Sequence, residues 1–410
     1  MRKMATLDEA RSDTAPLRIL FHINDFGRGG TETALLAWLN ALDRERFTPA
    51  VSVGYPTDDL EFWRAHSIPA DVDVHVLATE SWMYALHQVQ RRRKLRGATG
   101  VLHKVLTYAA IRPLMALRLR RLARRQDVVC DFDFSLRHVA GSGDAAWFGV
   151  SHFSLATRLR GKSARHIARR VRQYARYAAV AVLAPDMLQE ARQLFAGQRT
   201  RVVELPNVID VDAIRRRAQE PIERPAASFI VSVARLDEGQ KDHATLLRAY
   251  AKARASGKVS ATLVLIGEGR DRGVLEQLAQ ALGIAPFTRF LGFCANPFPY
   301  IQQADMLVLS SRYEGLPMVL SEAMALGTPV ISSDCPTGPR DQLEQGAAGL
   351  LVAPGDADAM ADAIERLSTD AALRVALTQR ALTKVETFAP ASANRRLLEL
   401  VRGIVGRGGR

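Results

Sequence analysis

Short apolar runs alternate with helix-length amphipathic stretches along most of the chain, and no other feature limits its fold as tightly. Leu17–Ile23 is an apolar run, and a glycine-rich turn follows at Gly27–Gly30. Thr31–Leu42 then spaces Leu35, Leu36, Leu39 and Leu42 as a helix would, and Phe47–Val53 reads as the next strand. Further strands are predicted at Ser228–Ala234, Ala261–Gly267, Arg289–Gly292, Asp305–Ser311 and Pro329–Ser333. Helices are predicted between them at Asp242–Ala255, Arg272–Leu282, Pro297–Gln303 and Pro317–Leu326. Apolar strands separated by helical crossovers predict parallel sheets covered on both faces, an α/β chain of Rossmann-like, doubly wound domains.

The chain's 410 residues are enough for two such cores. The break is predicted near Pro206–Pro225, where Arg215–Pro225 is charged, carries two prolines and precedes a fresh strand. The predicted plan is a polar tail over 1–16, a first domain over 17–207, a linker over 208–226, a second domain over 227–390 and a last helix over 391–410. That helix could pack on either domain. Two doubly wound domains leave a ligand cleft between them. Cys130, Cys294 and Cys335 are too scattered for a disulfide framework or a cysteine zinc site.

Charge is unevenly spread. Residues 1–210 hold 32 Lys and Arg against 21 Asp and Glu, whereas the remainder holds 24 against 22. Residues 81–126 have twelve Lys and Arg and no acid, interleaved with leucines, valines and Tyr108. That composition suits an anionic membrane surface, the alternative being a solvated helical face over an ordinary core. The polar start, Met1–Asp13, has no signal-peptide core, and no apolar run reaches the roughly 18 residues of a membrane span. The expectation is a cytoplasmic protein, peripheral on the inner face of the cytoplasmic membrane. Nucleic acid is not an expected partner, since no RNP-like motif or zinc finger is present.

The chemistry concentrates at Glu314–Glu322, which follows a predicted strand and opens a helix. Gly315 and Leu316 would present backbone N–H groups at a helix N-terminus, a place suited to phosphate. Glu314 on the loop and Glu322 on the helix could both face the cleft, and a carboxylate accepts from two hydroxyls at once. Taken alone, Glu322 reads better as a carboxylate favoured by the helix dipole.

Glu314 and Glu322, with Ala323–Ile331 after them, resemble the signature of glycosyltransferase family 4 (glycosyl transferases group 1), which has the GT-B fold. Gly29-Gly30-Thr31-Glu32 resembles that family's first loop, and Ser232–Leu236 with Lys241 its diphosphate clamp. Leu265–Gly269 and Gly349–Asp356 resemble its later strands and turns. The resemblance implies a retaining glycosyltransferase using a nucleotide-diphosphate sugar, with UDP the expected nucleotide, and no cofactor. Arg235 and Lys241 would bind the diphosphate, Glu322 the ribose and Glu314 the transferred sugar. Gly29 and Gly30 would let the first loop approach the donor phosphate. His152 matches a position beside the sugar, though a structural histidine is an equal alternative. His22 and Asn24 could line the acceptor side.

The acceptor is expected to be a saccharide of cell-surface polysaccharide, lipopolysaccharide or a lipid-linked oligosaccharide. The loop Asp334–Arg340 is either part of the nucleotide pocket or a rigid turn. Four Asp-x-Asp spacings, at 71/73, 131/133, 210/212 and 356/358, read as structural, and no metal is expected. Two rivals are a UDP-sugar epimerase of the same fold and a catalytically dead membrane scaffold.

Overall fold

The computed structural model describes residues 15–92 and 97–405. A first parallel sheet contains β1 (Leu17–Asp25), β2 (Phe47–Tyr55), β3 (Asp73–Val76), β4 (Val128–Asp131), β5 (Ala146–Ser151), β6 (Ala179–Val182) and β7 (Arg201–Glu204). Its spatial order is β3-β2-β1-β4-β5-β6-β7. A second parallel sheet contains β8 (Phe229–Val233), β9 (Thr262–Ile266), β10 (Thr288–Gly292), β11 (Met306–Leu309), β12 (Val330–Ser333) and β13 (Leu350–Val352), in the order β10-β9-β8-β11-β12-β13. Both sheets reverse direction of growth beside their first strand, so each has a switch point where loops splay apart. The expected pair of doubly wound domains is therefore present, and every strand predicted above lies within a residue or two of its place.

Local chemistry explains the boundaries. In the helix Met318–Leu326, Pro317 is the residue before the first turn, one position earlier than the sequence reading puts it. Gly327, at φ 72°, ends the helix in the left-handed region that glycine reaches without strain. Between the sheets, the expected linker contains a helix, Val211–Arg217, capped by Asp210. The last helix, Pro390–Val405, buries Leu397, Leu398, Val401 and Ile404. Each contributes about 1.5–3 kcal/mol by leaving water. Asn394 ties that helix to the first domain by donating to Ala41 O at 2.7 Å and accepting from Asp43 N at 2.9 Å.

After β1 come α1 (Gly30–Ala41), α2 (Asp58–His66), α3 (Ser81–Arg92), α4 (Gly97–Leu106) and α5 (Arg112–Ala123). The described parts of the basic segment thus form three helices, with a wide π-type turn at Thr107–Ile111 joining the last two. Ile111 and Leu119 face inward, whereas Val101, Leu102, Val105, Tyr108 and Leu117 are exposed. Arg93, Lys94 and Arg96, and the side chains of Arg91 and Arg92, lie outside the described parts. Among the described residues no helix is long and apolar enough to cross a membrane.

Candidate active site

The loop leaving β11 carries Glu314. Its Oε1 accepts from Lys241 Nζ and from Ser311 Oγ, each at 2.5 Å. Both partners of the ion pair are nearly out of solvent, with 14% and 6% of their side chains exposed. A buried pair of this kind depends on both members, because either alone is an unpaired charge in low dielectric. The sequence reading puts Lys241 on a diphosphate and Glu314 on a sugar without anticipating that they meet.

Gly315, next along, is a point of close approach between the two domains. A Cβ at 315 would lie 1.8 Å from the carbonyl oxygen of His152, which follows β5. Gly338, in the loop after β12, stands equally close on the other side, since its Cβ would lie 1.8 Å from Gly315 O. Thr337 Oγ1 also donates to Glu314 O at 2.8 Å. The Asp334–Arg340 loop therefore buttresses the Glu314 loop. Leu316 is buried, and its carbonyl accepts from Asn207 Nδ2 at 3.4 Å.

Glu322 sits inside the helix Met318–Leu326, 6% exposed. Burial pushes its carboxyl up to about 7, with the nearby Arg217 charge pulling the other way. Arg235 stands exposed after β8, its Nη2 donating to Gln240 Oε1 at 3.0 Å. Its charge reaches Glu32 of the first domain, a carboxyl that burial raises and that Arg235 pulls back. Glu32 was visible in the sequence only as the end of a glycine motif. Its Oε1 accepts from Gly27 N at 3.2 Å, folding the carboxylate back over the first loop.

That fold-back changes the reading of the glycines. A Cβ on Gly29 would lie 2.7 Å from Glu32 Oε2, whereas one on Gly30 would meet nothing within 4 Å. A Cβ at 29 would therefore displace the flexible end of the Glu32 side chain, while position 30 has room. The loop is fastened from α2 by Trp63 Nε1, which donates to Gly27 O at 2.9 Å. Arg28 bridges the domains, with its guanidinium 4.2 Å from the Phe293 ring centre and Asp59 accepting at 2.6 Å.

On the first-domain wall, His152 packs against Phe132 with ring centres 4.5 Å apart. Burial pulls its ring down to about 4, so it is neutral near pH 7, and its Nε2 is buried with no hydrogen-bond partner among the described residues. His22 is similarly held to about 4 by burial and meets Ser52 Oγ at 2.8 Å. Asp133 accepts from Asn24 N at 2.9 Å, and its charge reaches both histidines. Its other oxygen accepts from Ser135 N at 2.9 Å, so Asp133 holds backbone, as the structural reading of the Asp131/Asp133 spacing implies. Asp131 is structural: it is fully buried and accepts from Leu136 N at 2.8 Å and from the Tyr177 hydroxyl. At the ends of β1 and β2, His87 Nε2 lies 2.9 Å from Asp25 Oδ1, and its ring stacks on Tyr55 at 3.8 Å.

The other Asp-x-Asp pairs have structural partners. Asp71 binds Arg44 at 2.5 Å, while Asp210 and Asp356 cap helices by accepting from Ala213 N and Ala359 N. Among the described residues no group of three or more His, Cys, Asp and Glu is placed to hold a metal ion.

Two facing Rossmann-like domains, with a glutamate pair on the second and a histidine on the first, define a GT-B architecture. Solved structures agree on the fold. The Anabaena Alr3699/HepE structure in complex with UDP and glucose superposes with a TM-score of 0.72 at 19% identity, covering 94% of this chain and 100% of that one. TarM of S. aureus, in complex with UDP, gives 0.74 at 11% identity, covering 94% and 99%. Residues 215–384 match the model of the glycosyl transferases group 1 family. One relative is the Campylobacter jejuni N-acetylgalactosamine-N,N'-diacetylbacillosaminyl-diphospho-undecaprenol 4-alpha-N-acetylgalactosaminyltransferase, 32% identical over 53% of this chain and 58% of its own. Another is the lipopolysaccharide core biosynthesis glycosyltransferase LpsE of Rhizobium meliloti, 36% identical over 42% and 47%. The chain thus spans about half the length of these relatives.

Proposed function

We propose that this protein is a retaining glycosyltransferase that moves a sugar from a UDP-sugar to a membrane-associated saccharide. The observation that carries the reading is the Lys241–Glu314 pair at 2.5 Å, set beside the N-terminus of the helix Met318–Leu326 and opposite His152. Arg235, Lys241 and the N–H groups of Gly315 and Leu316 receive the diphosphate, stabilising the charge that builds as the sugar–phosphate bond breaks. Glu322 receives the ribose hydroxyls. Glu314 orients the sugar and, through Lys241, is coupled to the leaving group. His152, neutral and with Nε2 unpaired, is suited to a sugar hydroxyl.

Retention follows from the family resemblance. The acceptor attacks from the face the diphosphate leaves, and a departing phosphate oxygen takes its proton. Group 1 relatives named for lipopolysaccharide core and diphospho-undecaprenol substrates support an acceptor in cell-surface polysaccharide, lipopolysaccharide or lipid-linked oligosaccharide synthesis. The exposed apolar and basic surface of α4 and α5 supports peripheral attachment to the inner face of the cytoplasmic membrane. A thermal-shift panel of nucleotide sugars tests the donor. A true ligand at about a hundred times its Kd stabilises by about 2.7 kcal/mol. No stabilisation by any nucleotide sugar sinks the proposal in favour of a scaffold. Interconversion of two UDP-sugars without acceptor sinks it in favour of an epimerase.

A further inference from the structure

Phe293 follows β10 on the second domain, and its ring is seated on the first. The Arg28 guanidinium lies 4.2 Å from its ring centre, while the rings of Phe62 and Trp63 meet it edge-on at 6.2 and 6.4 Å. The seat is tied together on its own side. Arg28 also lies 5.6 Å from the Phe62 ring centre, and its Nε donates to Asp59 Oδ1 at 2.6 Å. Asp59, Phe62 and Trp63 all belong to α2.

Both sides of the contact are held by hydrogen bonds. The loop after Phe293 is fixed to the helix between the domains: Arg217 Nη2 donates to Ala295 O at 3.2 Å, and Asn296 Nδ2 donates to Arg217 O at 2.9 Å. On the first domain, three successive residues of the loop after β1 are fastened to α2 and its cap. Thr57 Oγ1 donates to Phe26 O at 2.5 Å, Trp63 Nε1 donates to Gly27 O at 2.9 Å, and Arg28 holds Asp59. Arg28 and Trp63 therefore both hold the loop and touch Phe293. The place of the contact matters too. Gly315 and His152 approach each other on the loops after β11 and β5, whereas Phe293 follows β10 and its seat follows β1 and β2. In the sheet orders, β1 and β5 lie on opposite sides of β4, and β10 and β11 on opposite sides of β8. The two contacts thus flank β8, whose following loop carries Arg235. One point of contact leaves the domains free to turn about it, and a second removes that freedom.

We propose that Arg28 and Phe293 are positioning residues for the donor: the Phe293 ring, seated on Arg28, fixes the Gly27–Gly30 loop relative to the Arg235 and Lys241 clamp on the second domain. A plain packing contact needs only apolar volume. Here the ring face meets a cation, an attraction that an aliphatic side chain does not reproduce, and that cation belongs to the loop being placed. Neither residue is assigned a contact with the donor itself. The proposal rests on the transferase reading above.

The test is a double-mutant cycle on the full chain, with UDP binding read by calorimetry and amide exchange of residues 27–33 as a second readout. Phe293→Leu keeps apolar volume and removes the ring face, and Arg28→Gln removes the cation. Each should weaken UDP binding about fivefold or more, through the lost cation–ring attraction and the misplaced loop. Each should also speed exchange at Gly27 N, which donates to Glu32 Oε1 at 3.2 Å. Phe293→Tyr should match wild type. The double variant should bind UDP no worse than the poorer single variant, because ring and cation act as one unit. Additive losses overturn the proposal. A loss from Phe293→Leu with none from Arg28→Gln overturns it in favour of direct contact between the ring and the nucleotide. A lower Tm with unchanged UDP affinity and unchanged exchange overturns it in favour of plain packing. Absence of UDP binding to wild type would strike the transferase reading, while exchange across the cycle would still decide whether Phe293 sets the loop.

Discussion

The carbonyl oxygen of His152 and the α-carbon of Gly315 meet across the cleft with no room for a side chain, since a Cβ at 315 would lie 1.8 Å from that oxygen. Both residues belong to the machinery proposed for transfer, so the contact sets the spacing between the sugar-side histidine and the phosphate-side helix. On the other side, a Cβ built at 338 would lie 1.8 Å from Gly315 O. Neither neighbour can yield by rotating a side chain, because both are backbone.

Gly315→Ala should therefore push the domains or the Glu314 loop apart. We expect kcat/KM to fall by about a hundredfold, in line with the cost of ångström-scale misplacement of reacting groups. Gly30→Ala is the contrast: nothing in the protein stands within 4 Å of its Cβ. Its thermal stability should match or exceed wild type, since alanine favours helix over glycine. Any loss of donor affinity in Gly30→Ala would then report the bound phosphate itself. Unchanged kinetics in Gly315→Ala would remove the interdomain contact from the account.

The two clamp cations should separate by stability. Arg235 is exposed, so Arg235→Ala should lower kcat/KM by about tenfold or more with little change in Tm. Lys241→Ala should do the same and also unfold earlier, because it strands the buried Glu314 carboxylate at a cost of about 3–5 kcal/mol. Lys241→Met combined with Glu314→Gln should recover most of the stability and none of the activity. Equal melting of the two single variants would mean that the Lys241–Glu314 pair is not a structural dependency.

Periodicity was enough to place the strands of the second sheet and the helices between them, because strands covered on both faces are nearly all apolar. The Glu314–Glu322 stretch was legible for a similar reason: a strand, a loop and a proline-led helix leave few places for two carboxylates. What stayed hidden depends on long-range approach. Nothing local says that Lys241 will reach Glu314, that Glu32 will fold back over Gly29, or that Asp133 will stand near His152. In the segment 81–126, composition indicated an amphipathic face but not the wide turn at Thr107–Ile111 that divides it.

Glu322 predicts a pH signature. Its carboxyl is raised from 4.5 to about 7 by burial. A raised acid leaves stability intact below the unfolded value and lowers it as pH climbs through the folded one, because the unfolded chain loses its proton first. Glu322→Gln should remove that loss, so its stability relative to wild type should rise between about pH 4.5 and 7, by at most about 3 kcal/mol. The same substitution should weaken UDP binding, since an amide offers one acceptor where a carboxylate offers two. In wild type, UDP affinity should increase as pH rises towards 8, with proton release detectable by calorimetry in buffers of different ionisation enthalpy. A flat pH dependence of UDP binding would take Glu322 out of the ribose site.

Attachment to a membrane can be tested on residues whose surroundings are known. Val101, Leu102, Val105 and Tyr108 are 62%, 60%, 54% and 62% exposed on α4 and the turn after it, an unusual concentration of apolar surface beside Lys104 and Arg112. Cations near an anionic leaflet are drawn by roughly 1 kcal/mol each, a term that salt screens. Apolar insertion is not screened, and full burial of each leucine or valine contributes about 1.5–3 kcal/mol. Flotation with phosphatidylglycerol vesicles should therefore weaken with salt without vanishing in wild type. Leu102→Asp with Val105→Asp should abolish the salt-resistant part and keep much of the salt-sensitive part, because the arginines of α5 remain. Soluble nucleotide-sugar binding should be untouched, as Arg235, Lys241 and Glu322 lie on the second domain. Wild-type flotation by this variant at both low and high salt would return α4 and α5 to an ordinary solvated surface, and would leave the membrane location of the acceptor without support from the fold.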